Sequence, residues 1–572
     1  MENLIVYEIA TKEYTSPNGP QSGTFLSLAE KMPYLQELGI NGVWLSGHQF
    51  CSDRFGNMWM QYAPLRQDLF DPSLGTPEDF KNLVDTAHEY GIKMFVDVIT
   101  HGVMSESSLI SEHPDWFKGG SWGMVDFDWY GNHPDLDKWW VNIWVDLVVN
   151  YDLDGFRIDV AHYRSDLWAL IRKQCAAAGH EIMVMLECGP AICGVSDVLQ
   201  HGEELSDNLH FYKNARILKD AAGHLLDKQF NKKENYTVEI KYKDGTMQKS
   251  YTESTDPQRR HLDLIQVRFD RTYTRHIDND TYEVGYDEEL CVLKIENVLQ
   301  KEIEDIVVYD YEMHVWNMNR ANTLLVDYFV EVHGKQPSIE IHFPLRQQKG
   351  QYISIQLSCH DNGWEGFKGS NAFAAKGSRH VMGYGCLLAP GVPVFMSGEE
   401  FNMDYRPVPN SYFNSTEHPD LREQTWLYAN WMEWEQLAIK EKQDMFDDVK
   451  EMLHIRNSNK HLMKALRMGI KGNVTKVPYR SCSVLPEPYA YVNEEEAIII
   501  AANPNADTAV DLSFDFSGML AYGTSYKVTT LFGQYKTESE GDSEALSRIK
   551  FRIERDLHHG GGLLVLKLTK RR

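Results

Sequence analysis

Apolar positions in the first half of the chain alternate between a helical period and short continuous runs. Phe25, Leu28, Met32, Leu35 and Leu38 repeat at helical spacing, Gly39 closes the run, and Gly42-Val43-Trp44-Leu45 follows as a buried strand. The next unit repeats the plan. Thr76 reads as an N-cap with Pro77 in the first helical position, and Phe80, Leu83, Val84 and Ala87 form the apolar face. Gly91 ends that helix, and Met94-Phe95-Val96-Asp97-Val98-Ile99 is the next buried strand. Strands alternating with helices in this way predict a parallel sheet.

Eight such strands are expected, near residues 3–9, 42–46, 94–99, 154–160, 182–187, 208–212, 352–358 and 392–397. Eight parallel strands with intervening helices predict an α/β fold closed into a (β/α)8 TIM barrel. An open doubly wound sheet is the alternative, but no G-x-G-x-x-G follows any strand. Two regions break the alternation. Residues 230–348 carry period-2 stretches such as Tyr236-Thr237-Val238-Glu239-Ile240 and turns such as Lys243-Asp244-Gly245. They predict an inserted β-rich domain between strands 6 and 7. Residues 475–572, with Ala497-Ile498-Ile499-Ile500-Ala501, predict a C-terminal β-sandwich. The barrel is then built from 1–229 and 349–474.

A length of 572 residues suits several domains, and the net charge of −26 disfavours nucleic acid and anionic membrane as partners. A neutral ligand such as a sugar is indifferent to that charge. No run of 18 apolar residues exists, so no membrane span is expected. The start, Met1-Glu2-Asn3-Leu4-Ile5, has neither the basic residues nor the apolar stretch of a signal peptide. A cytoplasmic protein is expected, the alternative being an exported one whose signal has been removed. The eight cysteines form no C-x-x-C pair and are too dilute for a disulfide scaffold.

The unusual polar residues cluster where barrel chemistry sits, at the C-terminal ends of strands. These ends read Asp97-Val98-Ile99-Thr100-His101, Gly155-Phe156-Arg157-Ile158-Asp159, Met185-Leu186-Glu187 and Ser358-Cys359-His360-Asp361-Asn362. Each has a bland reading. Arg157 and Asp159, two apart on one strand, face the same side and suit a structural ion pair; a Glu at a strand end caps a helix; His-Asp-Asn forms turns. Charges at the ends of four buried strands, all at one barrel mouth, are costly unless used.

These residues resemble glycoside hydrolase family 13, the α-amylase family. Gly155-Phe156-Arg157-Ile158-Asp159 resembles its nucleophile strand, Glu187 falls where it places the general acid/base, and His360-Asp361 resembles its motif for the transition-state stabiliser. Tyr62 falls at the aromatic under the reacting sugar. Val6-Tyr7-Glu8-Ile9, Asp71-Pro72, His113-Pro114-Asp115-Trp116-Phe117, Pro134-Asp135-Leu136-Asp137 and Pro390-Gly391-Val392-Pro393 with Gly398-Glu399-Glu400 are also family-like. There are departures. The family's third strand usually ends in Asn-His, with His five residues after Asp; here Thr100-His101 puts it four after Asp97. That Asn commonly helps hold a structural calcium, so calcium is disfavoured, and no H-E-x-x-H or Cys/His cluster suggests a catalytic metal. Ala63 stands where an Asp commonly follows the stacking Tyr.

The resemblance implies a retaining glycosidase on α-glucan or α-gluco-oligosaccharides. Asp159 would be the nucleophile and Glu187 the acid/base, about 5–5.5 Å apart across the anomeric carbon, and Asp361 the stabiliser. Arg157 would hold Asp159 ionised, and Glu187 would sit near pKa ~6. His101 and His360 would bond sugar hydroxyls, Tyr62 would stack under the ring, and Trp59, Trp122 and Trp364 are candidate outer platforms. A transglycosylase or isomerase shares the covalent intermediate and is the first rival. A non-catalytic carbohydrate-binding scaffold is the second, against which stand the three acids and Arg157.

Overall fold

The computed structural model describes residues 1–187 apart from 20, 54–60, 122, 130 and 161–163; 197–200; 237–249, 298–309 and the other strands named below between them and 356; 360; and 377–571 apart from 405–431, 467–471, 484, 506, 557 and 558. Eight strands close into a parallel barrel: β1 (Val6–Ala10), β2 (Gly42–Ser46), β3 (Lys93–Ile99), β4 (Gly155–Asp159), β5 (Met183–Leu186), β6 (Val198–Gln200), β7 (Tyr352–Gln356) and β8 (Val392–Met396). β8 returns to β1 through Val6–Val394 and Tyr7–Phe395.

Seven of these strands overlap the positions read from the apolar runs; the sixth does not. The barrel takes Val198–Gln200 rather than 208–212, which lie outside the described residues. Val198 pairs with Met185 on one side and Tyr352 on the other. The strand start is pinned by buried Asp197, which accepts the Val184 N–H at 2.9 Å and Arg172 Nη1 at 2.8 Å. Three residues behind a charge are too short an apolar run to stand out in a sequence.

Helices on the outside follow the predicted pattern closely. The apolar face from Phe25 to Leu38 is split into α1 (Phe25–Ala29) and α2 (Met32–Leu38), because Pro33 cannot continue a helix but fits the first turn of a new one. α3 (Pro77–Glu89) starts with a capping box: Thr76 Oγ1 accepts the Asp79 N–H, and Asp79 Oδ2 accepts the Thr76 N–H at 2.8 Å. α4 (Pro134–Tyr151), α5 (Ser165–Ala177) and α6 (Lys440–Ser458) complete the longer helices described here. Between β7 and β8 lies a π-helix, His380–Leu387. Its C-terminal end meets buried Arg456 of α6, which donates to the carbonyls of Leu387, Ala389 and Gly391 at 2.8–2.9 Å.

Between β6 and β7 the described strands pair antiparallel. Thr237–Tyr242, Met247–Lys249, Ile303–Tyr309 and Val315–Asn317 form one four-stranded sheet, and Gln266–Asp270, Val292–Glu296, Phe329–His333 and Ser338–His342 form another. Thr272–Asp278 and Thr281–Tyr286 make a hairpin. After α6, a six-stranded sheet centred on Glu496–Ala502 and Leu563–Lys570 faces a three-stranded one across a second core that includes Ile499, Leu512, Phe514, Val528 and Leu566. The six-stranded sheet also packs on the barrel: Tyr489 and Tyr491 donate their hydroxyls to the carbonyls of Tyr384 and Leu388 at 2.8 and 2.7 Å. Among the described residues no helix is long and apolar enough to cross a membrane.

Candidate active site

Side chains alternate along a strand, so inward residues form layers down a barrel. The lower layers here are apolar: Val6, Trp44, Phe95, Met185, Val198, Val392 and Val394 belong to one buried cluster. Further along, β1, β3 and β4 present Glu8, Asp97, Arg157 and Asp159, all buried. The register aligns them. Asp97 lies beside Arg157 and Ile99 beside Asp159 across β3 and β4, while Ile158 lies beside Leu186 across β4 and β5. The Glu187 N–H then donates to Ile158 O at 3.2 Å, which sets Glu187 next to Asp159 at the C-terminal mouth. Gly155 lets β4 start this close to β5: at its φ of +148°, an added Cβ would fall 1.8 Å from Met183 O.

Arg157 joins three carboxylates. Its Nη1 lies 3.0 Å from Asp97 Oδ1 and 2.6 Å from Asp159 Oδ1, and its Nη2 pairs with Glu187 Oε1 at 2.9 Å. Its guanidinium also sits 4.6 Å above the Trp44 ring. Asp97 Oδ2 accepts Trp44 Nε1 at 3.0 Å, Ser46 Oγ at 3.1 Å and Tyr62 OH at 2.5 Å. The Tyr62 ring stacks on His360 with centroids 4.2 Å apart, and its hydroxyl lies 3.1 Å from His360 Nδ1. His360 Nδ1 is 2.6 Å from Glu8 Oε1, and Gln356 Nε2 donates to Glu8 Oε2 at 3.4 Å. His101 Nε2 lies 3.9 Å from Asp159 Oδ2. A connected polar layer thus runs from β1 through β7, β2 and β3 to β4 and β5.

The charges divide unevenly. Burial pushes the Asp159 carboxyl well up, the neighbouring Glu187 charge adds to that, and Arg157 opposes both. Burial also raises Glu187, but Arg157 and the Val160 N–H, donated to Glu187 Oε2 at 2.7 Å, outweigh it and hold Glu187 down. Two carboxyls sharing one guanidinium titrate as a pair, and the protein groups alone favour the shared proton on Asp159. These directions run against the order expected from the sequence, Asp159 ionised and Glu187 protonated. The reason is that Arg157 serves both acids, while Val160 serves only Glu187.

Of the residues singled out from the sequence, Tyr62, His101, Arg157, Asp159, Glu187 and His360 come together here. Asp361, Trp59, Trp122 and Trp364 lie outside the described residues. The sequence reading gave no role to Glu8, Trp44, Ser46 or Gln356. Glu8 carried a signal, being a charge within the fully buried run Val6–Ala10. Among the described residues no three His, Cys, Asp or Glu side chains group as a metal site.

A closed (β/α)8 barrel with a layer of interlocked acids, Arg and His at the C-terminal mouth defines the broad class. Residues 8–119 match the family description of the α-amylase catalytic domain. A trehalose synthase from Pimelobacter sp. (strain R48) is 34% identical over 122 residues, 20% of this chain and 18% of that protein. An intracellular maltogenic amylase from Bacillus subtilis is 24% identical over 187 residues, 29% of this chain and 31% of that protein. The chain thus aligns with less than a third of the length of either relative. In fold, it superposes on a maltogenic α-amylase, AmyB, from Thermotoga neapolitana with a TM-score of 0.57 and 17% identity, over 100% of this chain and 99% of that one. Residues 8–119 are thus similar to the α-amylase catalytic domain, and the barrel as a whole has the fold of solved α-amylases.

Proposed function

We propose that this chain is a retaining α-glycoside hydrolase acting on α-glucan or α-gluco-oligosaccharides through a covalent glycosyl–enzyme intermediate. The observation that carries the reading is the side-by-side placement of Asp159 and Glu187 on Arg157 at the barrel mouth. Asp159 is assigned as nucleophile and Glu187 as acid, then base. The shared proton has to pass to Glu187 before Asp159 attacks, so contacts between the sugar and the pair must overcome the bias set by Val160. Asp361, next to His360 in the sequence, is assigned to the sugar hydroxyls that tighten in the oxocarbenium-like transition state. His101 and His360 are assigned to hydroxyls, and Tyr62 to the sugar ring. Arg157, counted from the sequence with the substrate-binding residues, is assigned to hold the two acids at fixed separation beside the sugar. A cytoplasmic location is part of the proposal, supported by the buried thiols of Cys51, Cys175 and Cys386.

Transfer of the glycosyl group to a sugar acceptor is the second reading, favoured by the likeness to a protein named trehalose synthase. Incubating the enzyme with maltooligosaccharides, isomaltooligosaccharides, pullulan, sucrose and trehalose tests both. Hydrolysis releases products whose first-formed anomer, read by NMR, is α, and Asp159→Asn loses ~10⁴-fold in rate. Larger or isomeric products move the assignment to transfer. A β-anomer at first release, or no turnover of any α-glucoside, overturns the proposal.

A further inference from the structure

Val160, the residue after Asp159, has a φ of +46°. Among the described residues it is the one β-branched side chain in the left-handed region, where such residues are strained. Strain of this kind persists only where the surroundings over-determine the backbone. Two contacts do so. The Val160 N–H donates to Glu187 Oε2 at 2.7 Å. On the other side, Thr100 Oγ–H is shared between the carbonyls of Asp159 and Val160, at 2.7 and 3.0 Å. Thr100 is itself buried, and its own carbonyl accepts the indole N–H of buried Trp129 at 2.8 Å. The hydroxyl therefore sits on a fixed mount at the end of β3 and grips the peptides that end β4.

We propose that Thr100 is a positioning residue: it holds the Val160 peptide in its left-handed conformation and so keeps the Val160 N–H on the Glu187 carboxylate. The proposal rests on the reading of Glu187 as acid/base. Among the described residues, the groups facing Glu187 are Arg157 and Asp159 from β4, His360 beyond β7, and the Val160 backbone amide. Arg157 is shared with Asp97 and Asp159, so the amide is the contact that distinguishes Glu187 from its neighbour. Removing it favours the protonated acid, because a donor to the carboxylate stabilises the charged form. Thr100 thereby sets the pH at which Glu187 gives up its proton, acting through the Val160 amide.

The test uses the full chain labelled with ¹⁵N-valine, with Thr100→Val as the nearly isosteric variant lacking the hydroxyl proton. In the wild type the Val160 amide resonance should move with pH as Glu187 titrates, and that movement should vanish in Glu187→Gln. In Thr100→Val it should shrink, while the alkaline limb of kcat/KM moves up by on the order of half a pH unit. Thr100→Ser should restore both. If Thr100→Val fails to fold, Thr100→Ala, which also lacks the hydroxyl, should move the limb in the same direction. An amide titration and a pH limb that match the wild type in Thr100→Val, or in Thr100→Ala, would overturn the proposal. The amide titration needs no turnover, so an enzyme inert on every α-glucoside would remove the glycosidase reading while leaving this one decided on its own.

Discussion

Glu8 has no exposed surface and touches the mouth of the barrel through another side chain. Burial raises its carboxyl, and contact with His360 opposes that rise. It orients the imidazole: a ring that gives its Nδ1 proton to Glu8 offers only Nε2 to a sugar. Glu8→Gln preserves the size but not the charge, and the Gln amide can present a donor to Nδ1 instead. We expect kcat/KM to fall by roughly 10–100-fold, as for a reacting group misplaced by a fraction of an ångström, with far-ultraviolet circular dichroism unchanged. Steady-state kinetics on the best oligosaccharide checks it; wild-type kcat/KM would leave Glu8 as packing alone. The difference in legibility between Glu8 and Asp159 is physical. Arg157, Asp159 and Glu187 each end an apolar run, so their charge stands out against the strand they close. A single Glu in an opening strand does not announce the histidine 352 residues away that it meets. The division of the proton between Asp159 and Glu187 was not legible at all, because it depends on which carboxylate a backbone N–H reaches.

Elements were readable where local signals suffice. The capping box at Thr76 and the stop near Gly91 fix α3 from sequence neighbours, and the structure follows them. The split between α1 and α2 had an equally local signal in Pro33, which the reading of Phe25 to Leu38 as one face passed over. β6 was hidden because its strand character comes from neighbours on both sides rather than from its own three residues. The π-helix His380–Leu387 also has a non-local support. A buried guanidinium carrying three carbonyls is worth more than its own burial, because removing it strands acceptors that water cannot reach. Arg456→Met keeps the length and the apolar stem while deleting all three bonds. We expect it to lower the unfolding free energy by about 3 kcal/mol or more, read as a lower urea midpoint with unchanged slope. Arg456→Lys should recover only part of this, since one ammonium cannot span the three acceptors. A midpoint equal to the wild type would mean that the carbonyls find other donors.

At the scale of the whole molecule, barrel and C-terminal sheet share a core. Tyr489, Ile498, Phe532, Leu563 and Val565 lie in the same buried cluster as Tyr384, Leu387 and Met452 of the barrel side, so neither is independent of the other. A group buried anywhere in that cluster's shell then acts on the stability of both. His48 is such a group. It is 2% exposed, ringed by Phe70, Phe80 and Trp144 with centroids 6.2–6.3 Å away, and neither ring nitrogen has a hydrogen-bond partner among the described residues. Burial pushes its imidazole down to about 3. The unfolded chain, with an ordinary histidine near pKa ~6.5, binds a proton through the interval that the folded chain does not. Stability from this site is therefore complete above about pH 6.5 and is lost at roughly 1.4 kcal/mol per pH unit as the pH falls toward 3. His48→Leu removes the titration and leaves an apolar side chain of similar volume among the rings. The gap between wild type and variant should thus change by about 2 kcal/mol in favour of the variant between pH 7.5 and pH 5, measured by urea unfolding at each pH. Parallel curves would mean that His48 is reached by a proton in the folded state, and hence that the wall between β2 and α4 is open to water.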